Sequence, residues 1–239
     1  MTIDLQPSII AGPRISNALL LSLGGADLAL LGPMEPVVLP LRSPLEDAGC
    51  RIEYAHFIDD GVASVVASNG AGTAVEIGVI GREGMTGTSL IYGDDQATFS
   101  AYMQVAGSAH RVEAAVFNDA MQRSPTLTRR LLHYAHVLSI KTAATAFVNG
   151  QEMLPARLAH WLLMISDRVG SPFNITHEFI AIMLAVRRSG VTLAIQDLEG
   201  KGLIRALRGS IAILDRPGTI AAASSIYGVP EQEYRRLLG

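Results

Sequence analysis

Residues 176–216 read THEFIAIMLAVRRSGVTLAIQDLEGKGLIRALRGSIAILDR, and this stretch decides the fold. Thr176 is placed to cap a helix carrying Phe179, Ile180, Met183 and Leu184, with Glu178 well sited for the helix dipole. A few residues later Val191, Ala194, Ile195 and Leu198 fall at i, i+3, i+4 and i+7, the spacing of a second helix with one buried face. Gly200-Lys201-Gly202 ends it. Leu203-Ile204-Arg205 and Ile211-Ala212-Ile213-Leu214 predict two strands joined by a turn at Arg208-Gly209. Two short helices, a tight turn and a small hairpin make a winged helix-turn-helix.

The face of the second helix opposite its apolar sector carries Ser189, Leu193, Gln196 and Gly200, with Arg188 and Thr192 flanking. A surface helix needing only solubility usually has Glu and Lys there. An outward Leu193 suits a thymine methyl better than water, and Arg187 or Arg188 can fork onto a guanine edge. Ser189, Thr192 and Gln196 suit bases or phosphates, and Arg208 sits at the hairpin turn. Residues 187–208 hold five basic side chains (Arg187, Arg188, Lys201, Arg205, Arg208) against Asp197 and Glu199. The chain as a whole is at −3. Residues 1–150 have 9 Lys/Arg against 14 Asp/Glu, a balance of −5, while residues 151–216 have 8 against 6, or +2. That asymmetry points to an anionic partner for one part of the chain.

Upstream, Ser124-Pro125 is a helix start, and the pattern runs to Val148, where Asn149-Gly150 predicts a stop. Leu127, Leu131, Tyr134, Leu138, Lys141, Thr145 and Val148 step in heptad spacing. Their apolar half, Leu127, Leu131, Tyr134 and Leu138, reads as a dimer seam in preference to a monomer core, although Lys141 and Thr145 interrupt it. A further helix carries Leu158, Trp161, Leu162, Ile165 and Val169.

Residues 35–112 change to a two-residue period. Ile52, Tyr54, His56 and Ile58 alternate with Glu53, Ala55, Phe57 and Asp59; Val75, Ile77 and Val79 form another run. Turn chemistry falls at Asp59-Asp60-Gly61, Asn69-Gly70, residues 81–87, Gly93-Asp94-Asp95 and Gly107. Short strands about ten residues apart imply an antiparallel sandwich or barrel.

Composition narrows the rest. With 49% hydrophobic and 17% charged residues among 239, the chain is not disordered. No apolar run approaches the ~20 residues of a membrane-spanning helix, and Met1 to Leu5, with Asp4, does not read as a secretory signal. One cysteine, Cys50, excludes a disulfide framework and any four-cysteine zinc or iron–sulfur site, so a reducing cytoplasm is expected.

Arg157-Leu158-Ala159-His160-Trp161-Leu162-Leu163, Ile175-Thr176-His177-Glu178-Phe179-Ile180-Ala181, Val186-Arg187-Arg188-Ser189-Gly190-Val191-Thr192 and Gly202-Leu203-Ile204-Arg205 resemble the Crp/Fnr superfamily of bacterial transcription regulators. The resemblance implies an α+β chain. Residues 1–123 would form a cyclic-nucleotide-binding-like β-roll (a double-stranded β-helix or jelly roll), residues 124–150 a dimerisation helix, and residues 151–239 a winged helix-turn-helix with a helical tail. It further implies a homodimer on a pseudo-palindromic double-stranded DNA operator, with a small-molecule effector and RNA polymerase as further partners.

Residue by residue, the effector pocket would map to Arg82, Gly84, Met85, Thr86, Phe99 and Ser100. Phe99 stands where a phosphate-pairing arginine is expected, and Met85 or Thr86 replaces the ribose-binding carboxylate. A buried phosphate needs a paired cation, so cyclic AMP is not the expected ligand. Haem would need axial ligands, and His56 and His110 are isolated histidines of the kind usually used in packing. No cofactor is assigned. The DNA helix keeps the family's first arginine as Arg188, but Ser189 and Leu193 replace a glutamate and a second arginine, so the family's usual operator is not expected.

The alternative is a cupin-like metal-dependent enzyme with an accessory helical module, using His56 with Glu76 or Glu53. It lacks a His-x-His spacing, and Ala181 breaks the zincin-like motif begun by His177-Glu178. No nucleophile elbow or phosphate-binding loop occurs, so no catalytic residues are assigned.

Overall fold

The computed structural model describes residues 14–69 and 74–239. The expected turn at Gly70 and the first five residues lie outside them. Five strands form one antiparallel sheet: β1 (Glu35–Leu39), β2 (Pro44–Glu46), β3 (Tyr54–Ser68), β4 (Ala74–Ile80) and β5 (Ser100–Glu113). Its order is β1-β5-β3-β4, with β2 also on β5.

The strands are fewer and longer than the sequence predicts. Asp59-Asp60-Gly61 and Gly107 are bulges inside β3 and β5, where the pairing shifts register three times between Ile58 and Ala63. Gly61 has φ +83°, and a Cβ on it would lie 2.5 Å from the Val105 carbonyl oxygen. A Cβ on Gly107 would collide with the Asp60 carbonyl. Glycine here bends the sheet by letting two backbones touch, and the chain does not reverse.

The bent sheet is covered on both faces, which overturns the expected alternation. Ala55, Phe57 and Ile58 are all fully buried. Ile58 packs with Leu39, Ala63, Ile80 and Met103. Phe57 faces instead a layer of helices, against Leu19, Leu20, Phe117 and Leu127. That layer comprises α1 (Ala18–Leu21), α2 (Gly25–Leu30), α3 (Ala114–Arg123) and the first half of α4 (Pro125–Gln151). In β4 it is Glu76 that is buried, while Val75 and Ile77 are half-buried. A bulge between Val65 and Val66 sets this phase.

Ser124 caps α4 by accepting the Leu127 N–H at 3.1 Å, but the helix does not stop at Asn149-Gly150. It runs to Gln151 and yields within two residues to α5 (Leu154–Val169), which starts with a proline in its first turn. The Asn149 side chain is used there as an acceptor for Arg157 Nε at 3.2 Å.

The heptad seam of α4 also requires correction. Leu127, Leu131 and Tyr134 lie in the chain's own core, and Leu138 packs half-buried against the sheet. The 4-3 spacing is that of a helix lying on its own sheet. The face left outward carries Arg129, Leu132, His136, Ser139, Ala143 and Ala146.

Beyond α5 come β6 (Phe173–Asn174), α6 (His177–Met183), α7 (Arg188–Gly200), β7 (Ile204–Leu207), β8 (Ser210–Ile213), α8 (Arg216–Ala222) and α9 (Val229–Leu238). The small sheet has the order β6-β8-β7, one strand more than the predicted hairpin. One cluster joins this part to the roll, with Val62, Val66 and Val79 meeting Leu158, Trp161 and Leu162 of α5. The tail helix α9 returns to the roll side, burying Leu238 beside Leu127 and Leu131. Among the described residues no helix is long and apolar enough to cross a membrane.

Candidate nucleic-acid interface

Thr176 caps α6, its hydroxyl accepting the Phe179 N–H at 3.2 Å. The link to α7 spans residues 184–187 and turns on Ala185, which has φ +51°. Val191, Ala194, Ile195 and Leu198 are the buried residues of α7. They anchor it on α5, so its other side looks outward.

On that side Arg187, Arg188, Ser189, Leu193 and Gln196 are exposed, Leu193 to 67%. Thr192 is half-buried. Its hydroxyl donates to the Arg188 carbonyl at 3.2 Å and lies 3.3 Å from His177 Nδ1. This pairing fixes the start of α7. Across the gap the wing turns at Gly209 (φ +76°) and presents Arg208. Arg188 and Arg208 line one groove of about 760 Å³ with Thr176, His177 and Glu178.

Arg42, on the turn between β1 and β2, enters the same groove and was missed by sequence reasoning. Its only local signal is a left-handed backbone, φ +67°, which a non-glycine residue rarely adopts.

The six residues expected to form an effector pocket do not share a cavity. Gly84, Met85 and Thr86 are buried in packing. Tyr134 Oη donates to the Met85 carbonyl at 2.9 Å and accepts the Met85 N–H at 3.0 Å, which pins the loop to α4. Phe99 is 42% exposed, outside the core. Ser100 borders a surface groove with Tyr102 and Phe179, whereas Arg82 borders a cavity beside α9.

His56 is held neutral, its pKa pushed down to about 4 by burial and then by Arg111. Among the described residues no group of three or more His, Cys, Asp or Glu is placed to hold a metal ion. The ligand set that a cupin-like centre needs is therefore not assembled from His56, Glu76 and Glu53.

Two glutamates, Glu76 buried and Glu83 half-buried, tie the roll to α5, the first helix of the winged-helix part or reading head. Glu76 Oε1 accepts the Trp161 indole N–H at 2.7 Å. Ser64 Oγ lies 2.5 Å from Glu76 Oε2 and 2.5 Å from Gln104 Oε1. One hydroxyl proton serves one of these oxygens; the other contact is met by a proton on Glu76, or by the Gln104 amide turned so that its otherwise unpartnered Nε2 donates to Ser64. Burial pushes the Glu76 carboxyl up to about 7, against the opposing pull of its Ser64 and Trp161 donors. Glu83, at the end of the same stretch, accepts from Lys141 of α4 at 2.7 Å and from Arg168 of α5 at 2.9 and 2.6 Å. Burial would raise this carboxyl, but the two cations hold it well below the usual range.

The Crp-like helix-turn-helix domain family matches residues 156–218. No curated protein matches the chain. Solved structures share its architecture at low identity. FixK2 from Bradyrhizobium japonicum has a TM-score of 0.70 at 13% identity, over 81% of this chain and 98% of its own. TTHA1359, a CRP/FNR-family transcriptional regulator from Thermus thermophilus, has 0.66 at 20%, over 80% and 99%. The c-di-GMP responsive global regulator CLP of Xanthomonas campestris has 0.66 at 12%, over 80% and 99%. Residues 156–218 are thus a Crp-like helix-turn-helix domain, borne by a chain with the fold of the Crp/Fnr transcription regulators.

Proposed function

We propose that the protein is a dimeric, sequence-specific DNA-binding transcription regulator of the cytoplasm, responsive to a signal other than cyclic AMP. Residues 1–123 act as the effector-type roll, residues 124–150 as the connecting helix, and residues 151–239 as the DNA-binding part with its tail. The observation carrying this reading is the outer side of α7. It is exposed and uncharged between Arg188 and Gln196, with Leu193 standing in solvent beside an arginine entry. Such a face is costly in water and suits base edges. Arg187, Arg188 and Arg208 serve as guanine or phosphate contacts, and Ser189, Thr192 and Gln196 as polar ones.

Dimerisation is assigned to the outward face of α4. Leu132 and Ala143 lie there, and the small side chains at Ser139 and Ala146 permit close helix approach. Two-fold pairing would set the two recognition helices about 34 Å apart for successive major grooves. RNA polymerase is the expected protein partner on the promoter. The packed state of Gly84, Met85 and Thr86 supports a ligand other than a cyclic nucleotide.

Selection from a random double-stranded DNA library tests the reading, with gel shifts run with and without cell extract. A pseudo-palindrome is expected to be enriched. Arg188→Ala should lose the sequence preference while still eluting as a dimer, and Leu132→Glu should elute as a monomer. Failure to enrich any sequence under either condition overturns the assignment.

A further inference from the structure

A cavity of about 200 Å³ lies where the loop after β4, α4, the end of α5 and α9 meet. Its floor is the Glu83 cluster. The Lys141 and Arg168 side chains are only 10% and 5% exposed, yet both donate to the same carboxylate oxygen of Glu83. Two buried cations therefore share one anion, leaving an excess positive charge in a place where an unbalanced charge is expensive. Glu231 on the cavity wall acts on both cations only through space. Asp167, also on the wall, acts on Arg168 through space and is itself hydrogen-bonded by Arg216 and the Tyr227 hydroxyl. Arg82 and Arg235 add two guanidinium groups to the lining.

Tyr234 supplies the second observation. Its hydroxyl is buried and has no hydrogen-bond partner among the described residues, and Tyr234 is one of the residues lining this cavity. A buried hydroxyl left unpaired calls for an acceptor that arrives from outside. Lys141, Arg82, Arg168 and Arg235 line the cavity as cationic donors with Tyr234 beside them, and the ligand that satisfies such a lining is an oxyanion.

We propose that this junction is the effector site, and that it takes a small oxyanion-bearing metabolite, a phosphate or a carboxylate. The inference rests on the regulator reading above for its consequence, though not for the binding itself. The volume is below the several hundred Å³ typical of drug-sized ligands, so the ligand is compact. An anion seated between Tyr234, Lys141 and Arg235 draws α9 and α4 together and neutralises the cations that Glu83 leaves uncompensated. Because Arg168 belongs to the first helix of the reading head, occupancy alters how that head is held on the roll.

Calorimetric titration of the full chain with inorganic phosphate, and separately with succinate, tests the site. Saturable binding of at least one probe is expected, and which of them binds distinguishes a phosphate from a carboxylate source. Tyr234→Phe and Arg235→Gln should each weaken it about tenfold, the effect of losing one charge-assisted hydrogen bond. Circular dichroism establishes that both variants are folded. No saturable heat from either probe, or unchanged binding in both variants, overturns the site. The bound probe should also change affinity for the selected operator severalfold, and no change removes its role as effector. Binding without any selectable operator would leave the site standing and defeat the regulator reading instead.

Discussion

Glu76, buried, and Glu83, half-buried, both reach from the roll to α5, yet they are held in opposite ways. Glu83 meets two cations and keeps its charge, while Glu76 meets a serine and an indole and its pKa is pushed up to about 7. The lesson is that burial raises both acids and only cations outweigh it: the two around Glu83 do, and the neutral donors of Glu76 do not. One contact is a charged clasp, the other a neutral one. They answer to different changes in solution.

The largest effect should follow removal of the clasp's only anion. Glu83→Ala removes the one carboxylate hydrogen-bonded to both Lys141 and Arg168 and should cost about 3 kcal/mol in urea unfolding. A loss below about 1 kcal/mol would erase the distinction between the two glutamates.

Next comes the response to pH. Burial keeps Glu76 neutral up to about 7, whereas in the unfolded chain the same proton leaves near 4.5. Folding therefore takes up a proton between these values, so this group's stabilisation declines as pH rises through that window and levels off above it. Glu83 acts with the opposite sign, because its depressed pKa makes stability fall as pH drops below the ordinary carboxylate range. Glu76→Gln should remove the first slope and stabilise the protein at pH 8 by about 2 kcal/mol, read from unfolding at several pH values.

Trp161→Phe removes one donor to Glu76 and should cost about 1 kcal/mol. It should also shift the pH-dependent region upward, since the carboxylate loses a partner. The smallest change is expected for Lys141→Met. Glu83 keeps both Arg168 contacts, so the stability change should stay within about 1 kcal/mol by thermal unfolding.

Much of the reading head was legible because its signals are local. Thr176 as a cap, the apolar quartet of α7 and the turn at Gly209 each act within a few residues. What failed was long-range. The spacing of Leu127, Leu131 and Tyr134 announces an apolar stripe without saying which surface covers it, and the sheet took what a partner helix had been expected to take. Gly61 and Gly107 look like turn residues until the two paired strands are seen to touch backbone to backbone at them. Among the pocket residues transferred by family resemblance, Gly84 and Met85 are packed against Tyr134, a long-range contact that spacing does not announce. Glu76 within a run of β-branched residues and Lys141 within an apolar seam were the clues to the clasps. A charge in such a setting has a partner elsewhere in the chain, which spacing alone does not name.

The Gly84–Tyr134 contact carries a mechanical consequence. Any side chain at position 84 would strike the tyrosine ring, and the ring's hydroxyl grips the next peptide from both its donor and its acceptor side. Loop and long helix are thereby welded into a single lever.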